Sequence, residues 1–137
     1  MKNYIIMGLT LVSLSACATI SPELRAKLDA ISNEPTPKCT GELCTEMWSR
    51  AQIWVSKNAA MKLQIATDSV LQTFNPGTNP VYQMTVTKEA LGSGNYRIEM
   101  DLRCGNIFGC GTNPQDVANM FYHYVNTGED LAKEFHG

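Results

Sequence analysis

Tyr96-Arg97-Ile98-Glu99-Met100-Asp101-Leu102-Arg103-Cys104 keeps a period of two from end to end. Tyr96, Ile98, Met100, Leu102 and Cys104 fall on one side of an extended chain; Arg97, Glu99, Asp101 and Arg103 fall on the other. A strand of this kind has one buried and one wet face, which describes an antiparallel sheet covered on a single side.

The same period recurs upstream. Tyr82, Met84 and Val86 alternate with Gln83, Thr85 and Thr87, and Gly92-Ser93-Gly94 supplies the turn into the charged strand. Asn75 to Pro80 is a loop by composition. Val70 to Phe74 reads as another strand, Asp68-Ser69 as a turn, and Leu63 and Ile65 as the apolar side of a first strand. Short connections between consecutive strands favour a meander.

Helical periodicity flanks these four strands. Leu43, Met47, Ala51, Trp54, Val55 and Asn58 form one stripe of a helix of about four turns, with Trp48 beside it. Thr40 is its expected N-cap, and Glu42 lies in its first turn. Glu46, Ser49, Arg50 and Lys57 lie opposite the stripe. After the strands, Cys104 to Thr112 is a glycine-rich loop. Asn113 then caps a helix with Pro114 at its first position, Asp116 in its first turn and Val117, Met120, Phe121, Tyr124 and Val125 on one face. Asn126-Thr127-Gly128 stops it, and Leu131 and Phe135 are placed to return one last turn to the body. Three one-faced elements are buried together by an α+β two-layer sandwich: a four-stranded antiparallel meander with two helices on one face, in the order α-β-β-β-β-α.

The residues before Cys39 are of another kind. Ser21-Pro22-Glu23 can start a short helix with Leu24, Leu28 and Ile31 on one stripe, ended by Pro35 and Pro37. Its polar face carries both signs, so it reads as a linker helix lying on the domain rather than one leaning on a membrane. Further upstream, Lys2 and the apolar Tyr4 to Leu14 run make a leader too short to span a bilayer. Leu14-Ser15-Ala16-Cys17 resembles the lipobox of bacterial lipoproteins. That resemblance implies cleavage before Cys17, acylation of Cys17 and, with Ala18 rather than Asp next to it, sorting to the outer membrane with the domain facing the periplasm or the cell surface. The expected divisions are residues 1–16 as signal peptide, 17–38 as a lipidated tether with a short helix, and 39–137 as one domain.

Removing residues 1–16 leaves 121 of 137 residues, enough for one small core. The formal net charge is −2 and becomes −3 without Lys2, which argues against a nucleic-acid partner. Five cysteines less Cys17 leave Cys39, Cys44, Cys104 and Cys110, an even number that reads as disulfides in an exported chain. With Thr40 as the cap, Cys39 and Cys44 occupy the two positions of a hydrophobic staple, and Cys110 returns to Cys104 after five residues of loop. Local pairing, Cys39–Cys44 and Cys104–Cys110, is therefore favoured over a crossed alternative such as Cys39–Cys104. Zinc is the rival use of these thiols, but both spacings are wider than most structural zinc pairs.

The helix Trp48-Ser49-Arg50-Ala51-Gln52-Ile53-Trp54-Val55, the segment Leu63-Gln64-Ile65-Ala66-Thr67-Asp68 and the strand Tyr96 to Arg103 resemble an uncharacterised bacterial domain family with a TATA-binding-protein-like fold, found in secreted proteins and lipoproteins. The resemblance spans roughly Thr45 to Val125 and does not include the four cysteines. It implies the fold and no active site, and the fold name brings no DNA binding with it.

The sequence carries no nucleophile–base–orienter set, no metal set and no cofactor motif. His123, between Met120 and Tyr124, and His136 read as solvated. Arg97, Glu99, Asp101 and Arg103 read as a solvated salt-bridge ladder, with a binding surface as the functional alternative. The expected role is a non-enzymatic envelope lipoprotein, held on the membrane by its anchor, that binds or scaffolds an envelope protein or other envelope component. The alternative is an enzyme or enzyme-accessory domain whose site a single sequence hides.

Overall fold

A computed structural model of the chain describes residues 20–134. Met1 to Ala16, the acylation candidate Cys17, Phe135 and His136 lie outside the described residues. The elements run α1 (Pro22–Ala30), β1 (Lys38–Thr40), α2 (Glu42–Asn58), β2 (Leu63–Ala66), β3 (Val70–Thr73), β4 (Tyr82–Gly92), β5 (Asn95–Cys104), α3 (Pro114–Thr127) and a 3-10 turn at Leu131–Glu134. All neighbouring strands pair antiparallel, in the order β1-β5-β4-β3-β2. The class is α+β, as expected, with five strands and three helices rather than four and two.

The hairpin β4–β5 is the backbone of the sheet. Its ladder runs from Tyr82 opposite Cys104 to Gly92 opposite Asn95, with Val86 opposite Met100 and Thr85 opposite Asp101 at its middle. Met84, Val86, Ile98 and Met100 are buried on the helix side. The positive φ values at Gly92, Ser93 and Gly94 make the turn that two glycines permit. The alternation continues to the end of β5, where Leu102 and Cys104 are half-buried rather than buried.

The extra strand, β1, is three residues long and pairs Lys38, Cys39 and Thr40 with Arg97, Tyr96 and Asn95. Thr40 therefore belongs to the sheet. Its hydroxyl donates to Asn95 Oδ1 at 2.7 Å, and the N-cap of α2 is Gly41, at φ +61°. Beyond β1 the edge of β5 would present unpaired N–H groups. Pro37 O accepts from the N–H of Ile98 at 2.9 Å, and the Tyr122 hydroxyl from that of Met100 at 3.2 Å. At the far edge β2 departs from strict alternation: the register shifts between Leu63 and Ile65, so Leu63 packs on the core while Ile65 turns outward.

On α2 the buried stripe is Cys44, Met47, Trp48, Ala51, Trp54 and Val55; Leu43 is half-exposed and Trp48 joins the core. The Trp48 indole donates to Thr67 O at 3.2 Å, and the Lys88 ammonium lies over both the Trp48 and Tyr96 rings. That contact explains how a lysine can occupy the helix side of β4. Helix α3 begins at its Asn113 cap and ends at Gly128 in the left-handed conformation. Its central Phe121 is fully buried and meets Trp54 edge-on, with ring centres 5.4 Å apart. Arg50 of α2 donates to Val125 O and Asn126 O, placing a cation at the negative end of α3.

The proline-started helix forms as expected, with Ser21 accepting from the N–H of Leu24. Leu24, Leu28 and Ile31 are buried in the common core. Helix α1 lies along α3 in the same direction: Arg25 reaches Asp116 at 3.2 Å near both starts, and Asn119 donates to Ser32 O at 3.0 Å further along. Its neighbour explains why α3 is buried on more than one stripe, with Asn119 and Tyr122 inside as well as Met120, Phe121 and Val125.

Candidate functional site

The four charged residues singled out on the strand share the open face of β5. Arg97 faces Glu89, Glu99 faces Thr87, Asp101 faces Thr85 and Arg103 faces Gln83 across the ladder. The row does not form a continuous salt-bridge ladder. Arg97 hydrogen-bonds Glu89 and lies 3.3 Å from Glu99 through Nε, an ion pair off hydrogen-bond geometry. The hydrogen bond to Glu89, with the charges of Glu99 and Glu89, raises the pKa of Arg97 above its ordinary value. Among the described residues, Asp101 and Arg103 make no ion pair. One half of the row is thus engaged in ion pairs, Arg97 with Glu89 of β4 and with Glu99 of its own strand, and the other half presents an acid and a base to solvent.

Arg103, of the unpaired half, lies beside two loops. Arg103 and Gln83 line a small polar cleft of about 200 Å³ whose other wall is Asn75, Pro76, Gly77 and Gly105. A β-carbon at Gly105 would stand 2.7 Å from Asn79 O and 2.8 Å from Gly77 O, so only glycine lets the two loops close on each other here.

The cysteines pair locally. Cys39 joins Cys44 with their α-carbons 5.0 Å apart, and Cys104 joins Cys110 at 5.8 Å. The staple expected for the first pair is displaced by one residue, because Gly41 rather than Thr40 is the cap. Cys44 sits at the third helical position instead of the fourth, and the bridge forms all the same. With the thiols so used, no group of three or more His, Cys, Asp or Glu side chains among the described residues is placed to hold a metal ion.

His123 is not solvated. Its side chain is 15% exposed, with Nδ1 3.2 Å from Glu34 and Nε2 3.0 Å from Glu129. Partial burial works to lower its pKa, but the hydrogen bonds and charges of Glu129 and Glu34 outweigh burial and hold it above the ordinary 6.5. With both ring nitrogens within hydrogen-bond distance of carboxylates, the imidazole is held between Glu34 and Glu129 as a clamp rather than left free. Asn126 adds a bond to Glu34 and another to Pro35 O.

A third place is a largely apolar cleft of about 220 Å³, lined by Trp54, Tyr82, Met84, Val117, Met120 and Ala132 among others. Tyr82 donates to Thr112 O at 2.7 Å, and desolvation raises its pKa. Neither this cleft nor the partners of His123 are visible in the sequence, since each is assembled from elements far apart in the chain. The only available signal was the apolar face of α3.

Among the described residues no helix is long and apolar enough to cross a membrane. No family model matches this chain, and neither does any curated protein or solved structure compared with it.

Proposed function

We propose that this chain is an envelope lipoprotein, acylated at Cys17 and carried to the outer membrane, whose domain binds or scaffolds another envelope component without turning over a substrate. The observation that carries the reading is the open face of the sheet. A ten-residue strand, fixed in register by its hairpin partner, holds Asp101 and Arg103 unpaired, with Arg103 beside two loops. Such a row offers unpaired charges of both signs to a partner at little entropic cost, since the backbone is already ordered. Local pairing of all four remaining cysteines supports an oxidising compartment, and the leader with Leu14-Ser15-Ala16-Cys17 supports export and anchoring. Kinship with the TATA-binding-protein-like family is part of the same proposal, on the Trp48–Val55 helix and the strands after it, and brings no active site. An enzyme site, the alternative, has its best location in the cleft at Trp54 and Tyr82.

The test uses the full chain in intact cells. A palmitate analogue is expected to label it, and Cys17→Ser to abolish the label; label surviving that change removes the anchor from the proposal. Crosslinking followed by pull-down is expected to capture a discrete envelope partner and to lose it when Glu99→Lys and Asp101→Lys are combined, with the melting temperature kept. Unchanged crosslinks would clear the open face of the role. Turnover lost on one point change in the cleft would decide for an enzyme.

A further inference from the structure

Ile107 and Phe108 are 94% and 92% exposed, far beyond any other large apolar side chain among the described residues. They sit at the tip of the loop closed by Cys104–Cys110, and that loop is built rather than slack. Gly105 N–H donates to Val81 O, and Asn106 donates through Nδ2 to Thr78 O at 2.9 Å. Asn106 Oδ1 accepts from the N–H of Phe108 at 2.8 Å, and its backbone oxygen accepts from that of Gly109. The disulfide fixes the two ends. Holding an isoleucine and a phenylalanine out in water on so many supports has no stabilising effect on the domain itself, since neither side chain touches the core.

Three features of the molecule say what covers them. The loop leads directly into the Asn113 cap of α3, and Arg25 of α1 meets Asp116 in the first turn of α3, so the start of α1 lies at the same end of the domain as the tip. Only Ala18 and Thr19 separate Cys17 from Ile20, and Ile20 already packs on the core. An acyl anchor at Cys17 would therefore keep that end within about 10 Å of the lipid surface. Finally, no charged residue occurs between Arg103 and Asp116, so the loop carries no charge of its own into an acyl boundary.

We propose that Ile107 and Phe108 form an apolar tip that enters the headgroup–acyl boundary of the anchoring membrane and sets the orientation of the domain against it. The inference rests on the lipoprotein reading above. Acyl chains supply retention; the tip supplies direction. Each side chain moved from water into the boundary contributes about a tenfold factor to the docked orientation over a freely tumbling one.

The test is made on the acylated full chain in vesicles of phosphatidylethanolamine and phosphatidylglycerol with brominated acyl chains. Phe108→Trp places an indole at the tip. Leu91→Trp places one about 30 Å away along β4, at the opposite end of the hairpin. Trp48 and Trp54, 6% and 2% exposed, give a constant background measured in the unsubstituted chain. The expected result is a blue shift and loss of emission for Phe108→Trp and neither for Leu91→Trp, with melting temperatures equal to that of the parent. Equal quenching at the two sites, or none at position 108, overturns the inference. So does a photoreactive phenylalanine at 108 that crosslinks to a discrete protein in cells and not to lipid. The mass of the same preparation reports acylation separately. An acylated chain with an unquenched indole at 108 ends the tip and leaves the lipoprotein reading standing; a chain without acyl groups on Cys17 ends both.

Discussion

The two disulfides close loops of nearly the same size, with separations of five and six residues, and they serve opposite regions. Cys39 and Cys44 are each 5% exposed and belong to the core, where the bridge ties the edge strand β1 to the first turn of α2. Cys104 and Cys110 are only half-buried, and their bridge closes a loop whose tip touches nothing in the domain. The first bridge covalently reinforces a contact that packing already makes. The second replaces packing that the loop does not have. A crosslink of given loop size thus has its effect set by what surrounds it.

Removing each bridge separates the two effects. The chain-entropy model assigns both loops about 2 kcal/mol, so the loops alone predict no difference. Cys39→Ala with Cys44→Ala also removes buried sulfur from the core and should cost about 3–4 kcal/mol in all. Cys104→Ala with Cys110→Ala should cost about 2 kcal/mol or less, while displacing the tip. Denaturant unfolding of the two variants measures this; equal losses would mean that burial does not distinguish the bridges. A smaller effect tests the second loop without touching its sulfurs. Gly105→Ala forces a β-carbon against the Asn79 and Gly77 carbonyls and should cost about 1–2 kcal/mol as the Asn75–Pro80 loop shifts, with the disulfide intact by peptide mapping. Loss of stability with both loops unmoved in hydrogen exchange would place the strain elsewhere.

The same two regions differ in how far the sequence discloses them. The period-two run from Tyr96 to Cys104 and the stripe from Val117 to Val125 are local signals, and the structure reproduces both. Lys38-Cys39-Thr40 is too short to show a period, and Thr40 is as good a cap as it is a strand residue; only pairing with Asn95, 55 residues away, decides between them. Ile65 points outward because a bulge resets the phase, which alternation alone does not reveal. Thr73 can be fully buried because its hydroxyl accepts from the N–H of Met84 on the neighbouring strand, a bond without a sequence signature. The helix at Leu24 was legible as a helix, and its burial came from the parallel run of α3. At the candidate site, the alternation placed Arg97, Glu99, Asp101 and Arg103 on one face, but the split of the row depended on Glu89 from the neighbouring strand. Ile107 and Phe108 carry no periodicity, and their exposure follows from the bridge and from Asn106.

The smallest effect is expected at the clamp on the side of the first bridge. Glu34, five residues before Cys39 on the connection into β1, and Glu129, just past the end of α3, grip His123 from both sides. Their hold raises the pKa of the folded imidazole above the 6.5 of an unfolded one. The folded state therefore binds the proton more tightly than the unfolded state. The resulting stabilisation is complete below about pH 6.5 and is lost as pH rises through the folded value. His123→Gln keeps a polar side chain at the site and removes the titration. Unfolding free energies measured from about pH 6 to pH 8 should fall with pH in the parent and fall less in His123→Gln. The subtraction isolates the clamp of His123 with Glu34 and Glu129, because the titrating groups away from it keep their surroundings in the two chains. The region of the second bridge offers a control, since residues 104 to 115 include no Asp, Glu, His, Lys or Arg. Cys104→Ala with Cys110→Ala should lower stability by the same amount at each pH and leave the slope unchanged. A slope that flattened there, and not in His123→Gln, would move the pH response out of the clamp and into the loop.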